Sequence, residues 1–235
     1  MATPIKFTLR ADIRDWKLFS DGASAAGFNF SYLSDEGNPD YANNISEEYR
    51  YSISLPVPVY LSRGFHSFEP FILRNEEMEF LFTKSTKANY QVQVFSDSYN
   101  PKELSPLAEI VMKNIMQQYA YHRTISVLRP KDYSAVAESV LPDLTVKVDL
   151  RRWTLTARHM EEITVLAGPQ KEEISLEISP EGLLTFDLSQ MEEENKERYY
   201  HLLVADIGER IKSPGIFLQY KSTKAALATT DRGQR

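Results

Sequence analysis

Phe7-Thr-Leu-Arg-Ala-Asp-Ile-Arg-Asp-Trp16-Lys-Leu18 and Leu144-Thr-Val-Lys-Val-Asp-Leu-Arg-Arg-Trp153-Thr-Leu155 are two versions of one phrase, 137 residues apart. Both read apolar, Thr, apolar, basic, small apolar, Asp, aliphatic, Arg, any, Trp, any, Leu, and together they use both tryptophans of the chain. Such a match points to an internal duplication. In each copy the apolar residues alternate as in a half-buried strand: Phe7, Leu9, Ala11 and Ile13, then Leu144, Val146, Val148 and Leu150. The alternation then slips by one position, so that Trp16 and Leu18, or Trp153 and Leu155, take over. A slip at the same place in both copies predicts a bulge or bend at Arg14-Asp15 and Arg151-Arg152, with each tryptophan in the core at a sheet corner.

Further matches extend the pattern. Met78, Phe80 and Phe82, a polar stretch, then Tyr90, Val92 and Val94 read as a hairpin, as do Ile174, Leu176 and Ile178, Ser179-Pro-Glu-Gly182, then Leu184, Phe186 and Leu188. Each hairpin leads to a helix. The first is read as capped by Ser105, with Pro106 at its first position and Leu107, Ile110, Val111, Ile115 and Tyr119 as its apolar stripe. The second opens on Glu192-Glu-Glu194 and carries Tyr199, Leu202, Leu203, Ile207 and Ile211. Matching Ile110 to Leu202 gives an offset of 92, which differs from 137 by 45, so the first copy is expected to hold an insertion of that size.

The expected fold class is therefore α+β: a duplicated β-meander plus helix unit, packed as an intramolecular pseudo-dimer. The first unit covers 1–128 with its aromatic-rich insertion at about 20–75. A proline-bounded linker follows at 129–142, then the second unit at 143–220 and a flexible tail at 221–235.

At 235 residues, with 42% hydrophobic and 26% charged residues, the composition is that of a globular chain rather than a disordered or fibrous one. No signal peptide or membrane-spanning run is read, and there is no cysteine, which points to an intracellular or virion-associated protein without membrane contact. The net charge of −6 repels phosphate backbones over most of the surface.

Motifs that carry chemistry are sparse. His66, His122, His159 and His201 are scattered, and Asp35-Glu-Gly-Asn-Pro-Asp40 lacks the register of a calcium loop, so no metal is expected. Phosphate-cradling glycine motifs and nucleophile elbows are absent, and no cofactor is implied. The carboxylate clusters Glu76-Glu77 with Glu79, Glu161-Glu162 and Glu172-Glu173 read as solvated rims, because neighbours on a strand point to opposite faces. No catalytic residue is assigned, and an enzyme is not expected.

The expected function is that of an interaction or assembly protein, suited to a viral or phage particle or another large complex. It would meet protein partners, or copies of itself, through sheet edges and the insertion, with Phe65, Phe68 and Phe71 as contacts. Aromatic residues next to bases suggest the alternative, a sequence-tolerant single-stranded nucleic-acid binder using Arg14, Trp16, Arg151, Arg152 and Trp153. A third, weaker alternative is an enzyme whose site is too dispersed to read.

Overall fold

The computed structural model describes residues 5–13, 15–36, 49–55, 70–84, 90–160 and 163–211. The fold is mixed α+β, with three α-helices and two antiparallel sheets among these residues. The chain runs β1 (Lys6–Ala11), α1 (Trp16–Ala25), β2 (Asn29–Tyr32), β3 (Tyr51–Leu55), β4 (Phe71–Arg74), β5 (Glu79–Lys84) and β6 (Tyr90–Ser96). It continues through α2 (Pro101–Leu128), β7 (Ser134–Val140), β8 (Val146–Met160), β9 (Ile163–Ile178), β10 (Leu183–Asp187), α3 (Glu193–Ile207) and β11 (Gly208–Arg210). One sheet is ordered β11-β1-β10-β9-β8-β7 and the other β2-β4-β5-β6-β3.

Alternating side chains turn one face of each sheet inward. Phe71, Leu73, Phe80, Phe82, Val92 and Val94 of the five-stranded sheet join Leu9, Val148, Leu150, Ile174, Leu176 and Phe186 of the six-stranded sheet in one core. Helix α2 supplies Leu104, Ala108, Met112, Ile115, Met116 and Tyr119 to it. A smaller cluster of Ile72, Leu81 and Phe95, packed with Leu33 and Tyr49, lies on the opposite face of the five-stranded sheet.

Both predicted hairpins are present, as β5–β6 and β9–β10. The β9–β10 turn closes at Gly182, whose φ of 76° and approach to the Met116 carbonyl leave no room for a side chain. The topology does not bear out an internal duplication. The strand of the first phrase, β1, pairs with β10 and β11, not with the hairpin β5–β6, which lies in the other sheet.

The two phrases also part company at their ninth residue. In the first it is Asp15, whose carboxylate accepts from the Leu18 amide at 3.2 Å and caps α1, so Trp16 opens a helix. In the second it is Arg152, which has no acceptor to offer, and the chain stays in β8 with unbroken pairing to β9 through Trp153. No bulge forms at Arg151-Arg152; the register shift falls between Leu155 and Ala157.

Three further expectations change. Residues of the supposed insertion build α1, β2, β3 and β4, and so supply three strands of one sheet. The supposed linker contains β7, paired along β8 with an irregularity between Ala135 and Ala137. Helix α2 begins a turn earlier than read, because Asn100 and Glu103 form a reciprocal capping box with Pro101 at the first position; Pro106 lies inside the helix and Ile110 is 61% exposed. Residues 221–235 lie outside the described residues.

Candidate protein-interaction edge

Arg152 and Glu172 face each other across β8 and β9, past the last β7 partner, Arg151, and the last β10 partner, Ser175. They lie on the inward face, in line with Leu150 and Ile174, and the ion pair is 2.7 Å long with both side chains largely buried. Glu172 also accepts from the Tyr133 hydroxyl at 3.1 Å and from the Asn195 amide at 2.5 Å. The Arg152 guanidinium lies 5.2 Å and 5.3 Å from the ring centres of Tyr133 and Tyr199, which meet edge to face. Burial, then the neighbouring Tyr199 and Glu172, raises the Tyr133 hydroxyl well above its ordinary range, so it stays a proton donor. This cluster fastens α3 and the approach to β7 onto the end of the sheet. Its arginine is paired within the chain.

The outward face of the same sheet is a mosaic of paired charge. Arg151 and Lys171 both hold Glu173, at 2.6 Å and 2.7 Å, and Lys6 lies 3.9 Å from Glu177. The hydrogen bond from Lys171, with that from Arg151, holds the Glu173 carboxyl below its ordinary range. Asp149 accepts from Ser175 at 2.6 Å. Among the described residues of this face cations and anions alternate, without a continuous basic track.

The remaining candidate residues separate clearly. Trp16 packs on Phe19 and Phe71 at 5.9 Å and 5.2 Å, and Tyr119 and Tyr199 are buried as core aromatics. Phe71 is fully buried and stacked on Phe82 at 4.2 Å, which corrects its reading as a partner contact. Arg14, Phe65 and Phe68 lie outside the described residues. Trp153 was expected in the core, yet it is 61% exposed, on the outward face opposite Lys171.

Trp153 stands beside an edge that the sequence reading missed. All seven residues of β7, Ser134-Ala-Val-Ala-Glu-Ser-Val140, are exposed, and among the described residues the strand pairs with β8 alone. Val136, Val140, Leu144 and Trp153 are four of the five large apolar side chains exposed among the described residues, the fifth being Ile110. The turn joining β7 to β8 is closed by Leu144 donating to the Leu141 carbonyl, with Leu144 at a φ of 65°. Leu141-Pro-Asp-Leu144 was the available signal, since proline followed by aspartate marks a turn and a turn before a strand implies a strand before the turn. Past β7 and β10, β8 and β9 pair, among the described residues, only with each other, as far as Met160 and Ile163, in a ribbon two strands wide.

Elsewhere, Gly27, Asn29, Arg74, Asn75, Glu76 and Glu77 line an open polar cleft of about 610 Å³. Near it the buried Glu79 carboxylate is held by Arg74 at 2.5 Å and by the Tyr49 hydroxyl at 3.4 Å. Among the described residues no group of three His, Asp or Glu side chains could hold a metal ion, and no helix is long and apolar enough to cross a membrane. The chain matches no protein-family model, no curated protein and no solved structure.

Proposed function

We propose that this chain is an interaction or assembly component that meets protein partners through the β7 edge of its six-stranded sheet and the adjoining Trp153. The observation that carries this reading is the exposure of the whole of β7 beside Val136, Val140, Leu144 and Trp153. An open strand presents a row of backbone donors and acceptors, and an apolar border adds the contact area that protein interfaces use. The β8–β9 ribbon supports the same reading, because two strands alone gain little stability in water and profit from a surface to lie against. Against the single-strand binding alternative, two of its three arginines are already paired within the chain, Arg152 with Glu172 and Arg151 with Glu173.

The test is purification of the tagged full chain under native conditions, followed by a salt series. Partner proteins are expected to stay bound at about 0.5 M salt, where exposed charge pairs are screened, and to be lost from a Trp153→Ser variant. A labelled thirty-nucleotide single strand should bind weakly at about 0.15 M salt. Tight binding of that strand, abolished in Arg151→Gln with the fold intact, would replace this proposal with the nucleic-acid reading.

A further inference from the structure

We infer that the β7 edge pairs with the β7 edge of a second copy of this chain, antiparallel about a two-fold axis, so that two six-stranded sheets continue as one. This rests on the assembly reading above and names its partner. The first support is the chemistry of the strand itself. Natural edges are guarded by lysine, proline, inward charge or short length; Ser134–Val140 is seven residues long and contains no lysine, arginine or proline. Its guards are the irregularity between Ala135 and Ala137 and the single charge of Glu138.

The second support is self-complementarity. With the axis at Ala137, Ser134 stands opposite Val140 and Val136 opposite Glu138; with the axis at Ser139, Glu138 stands opposite Val140. Like charges meet only if the axis passes through Glu138 itself, so neighbouring registers carry no repulsion. The third support is the position of the apolar residues. Leu144, in the turn, lies at one end of the edge, and Trp153, two positions past the β7 partner Arg151, lies at the other; Val140, opposite Val146, is on the inward face and takes no part in that contact. Antiparallel pairing sets the Leu141–Leu144 turn of each copy alongside the Trp153 end of the other, and the two-fold axis makes this contact twice. A foreign peptide laid on β7 would satisfy the backbone but would not by itself bring apolar cover to both ends.

Sedimentation velocity of the full chain from about 1 to 100 µM tests the inference, because a dimer of micromolar affinity dissociates across that range. Wild type is expected to shift from one chain to two as concentration rises, and Trp153 emission in a Trp16→Phe background should move to shorter wavelength with it. The Val136→Lys, Val140→Lys double variant should keep its circular dichroism and remain a single chain at every concentration. Should those lysines disturb the strand, Leu144→Asp leaves β7 untouched and is expected to give the same loss of dimer. Wild type monomeric at 100 µM overturns the inference, as does a dimer of unchanged affinity in a folded β7 or Leu144 variant. A monomer that still retains other proteins in the salt series sinks self-pairing alone, whereas a monomer that retains none sinks the assembly reading as well.

Discussion

Arg152 donates to Glu172 across β8 and β9 at 2.7 Å, on the inward face of the sheet, with side chains 16% and 7% exposed. That placement turns a residue legible in the sequence as a surface cation into a fastening of the fold. Removing the cation leaves a buried carboxylate that still accepts from Tyr133 and Asn195 but has lost its counter-charge. Arg152→Ala is therefore expected to cost about 3 kcal/mol, and an Arg152→Met, Glu172→Leu double change distinctly less. Urea denaturation measures both, and a single variant as stable as wild type would show the pair to be solvated.

The two tryptophans should behave differently despite their matching phrases. Trp16 packs against Phe19, Phe30 and Phe71, and Trp16→Ala should cost about 3 kcal/mol. Trp153 is 61% exposed, and Trp153→Ala should change the stability of the single chain by no more than about 0.5 kcal/mol. Thermal melts at low concentration, where assembly does not contribute, make the comparison; equal losses would put Trp153 back in the core.

Tyr133 gives the fold an alkaline limit. Its hydroxyl is held above the ordinary 10.0 of tyrosine, first by burial and then by Tyr199 and Glu172. The folded state therefore keeps its proton at pH values where the unfolded chain releases it. The resulting contribution is fully present below about pH 10 and is lost as pH rises further. Between pH 8 and about 11 the denaturation midpoint of wild type should fall more steeply than that of Tyr133→Phe, which cannot ionise there. Parallel slopes would mean that Tyr133 is open to solvent.

Alternation made much of this fold legible: β1, β5, β6, β10 and the inward half of β8 were all readable from apolar residues spaced by two, because each turns alternate side chains into the main core. The phrase match was misleading because one side chain outweighed ten similar positions. Asp15 can accept amide hydrogens and start a helix, whereas Arg152 cannot. The residues from 20 to 75 looked like an insertion because the offsets of 137 and 92 differ by 45, a difference that loses its meaning where the topology does not bear out the duplication. β7 was hidden for the opposite reason. Exposed along its whole length, it is made of small and weakly polar residues and shows no buried face from which a period could be read. The candidate site was thus legible only in the expectation of a sheet edge, not through Trp153, which was read as core, nor through the strand that forms it.

Helix α2 offers a clean test of where it starts. The Asn100 side chain accepts from the Lys102 and Glu103 amides at 3.0 Å and 3.4 Å, and Glu103 returns a contact to the Asn100 amide at 3.3 Å. Asn100→Ala should cost about 1 kcal/mol by exposing those amides at the helix end. Ser105 lies inside the helix, where alanine is the better former, so Ser105→Ala should be neutral or slightly stabilising. Denaturation midpoints rank the two, and the reverse order would place the start at Ser105.

Gly208 controls how α3 hands over to β11. Its φ of 168° is ordinary extended backbone, so glycine is not required there for conformational freedom. The constraint is contact: a Cβ would stand 1.8 Å from the Arg10 carbonyl oxygen, which belongs to the neighbouring backbone of β1 and cannot rotate away. Any side chain must push β11 off β1, loosening the pairs from Leu9 to Arg210 through Ala11 to Gly208 and the adjacent bond from the Asp12 amide to the Ile207 carbonyl. Gly208→Ala should therefore lose at least about 1 to 3 kcal/mol, the usual cost of overpacking, and speed hydrogen exchange at the Asp12 amide. Gly27 provides the contrast, since a Cβ there meets nothing within 4 Å and only its φ of 86° resists substitution. Gly27→Ala should cost about 1 kcal/mol with no change in exchange at Asp12. Unaltered exchange in the Gly208 variant would mean that β11 is not seated on β1 in solution.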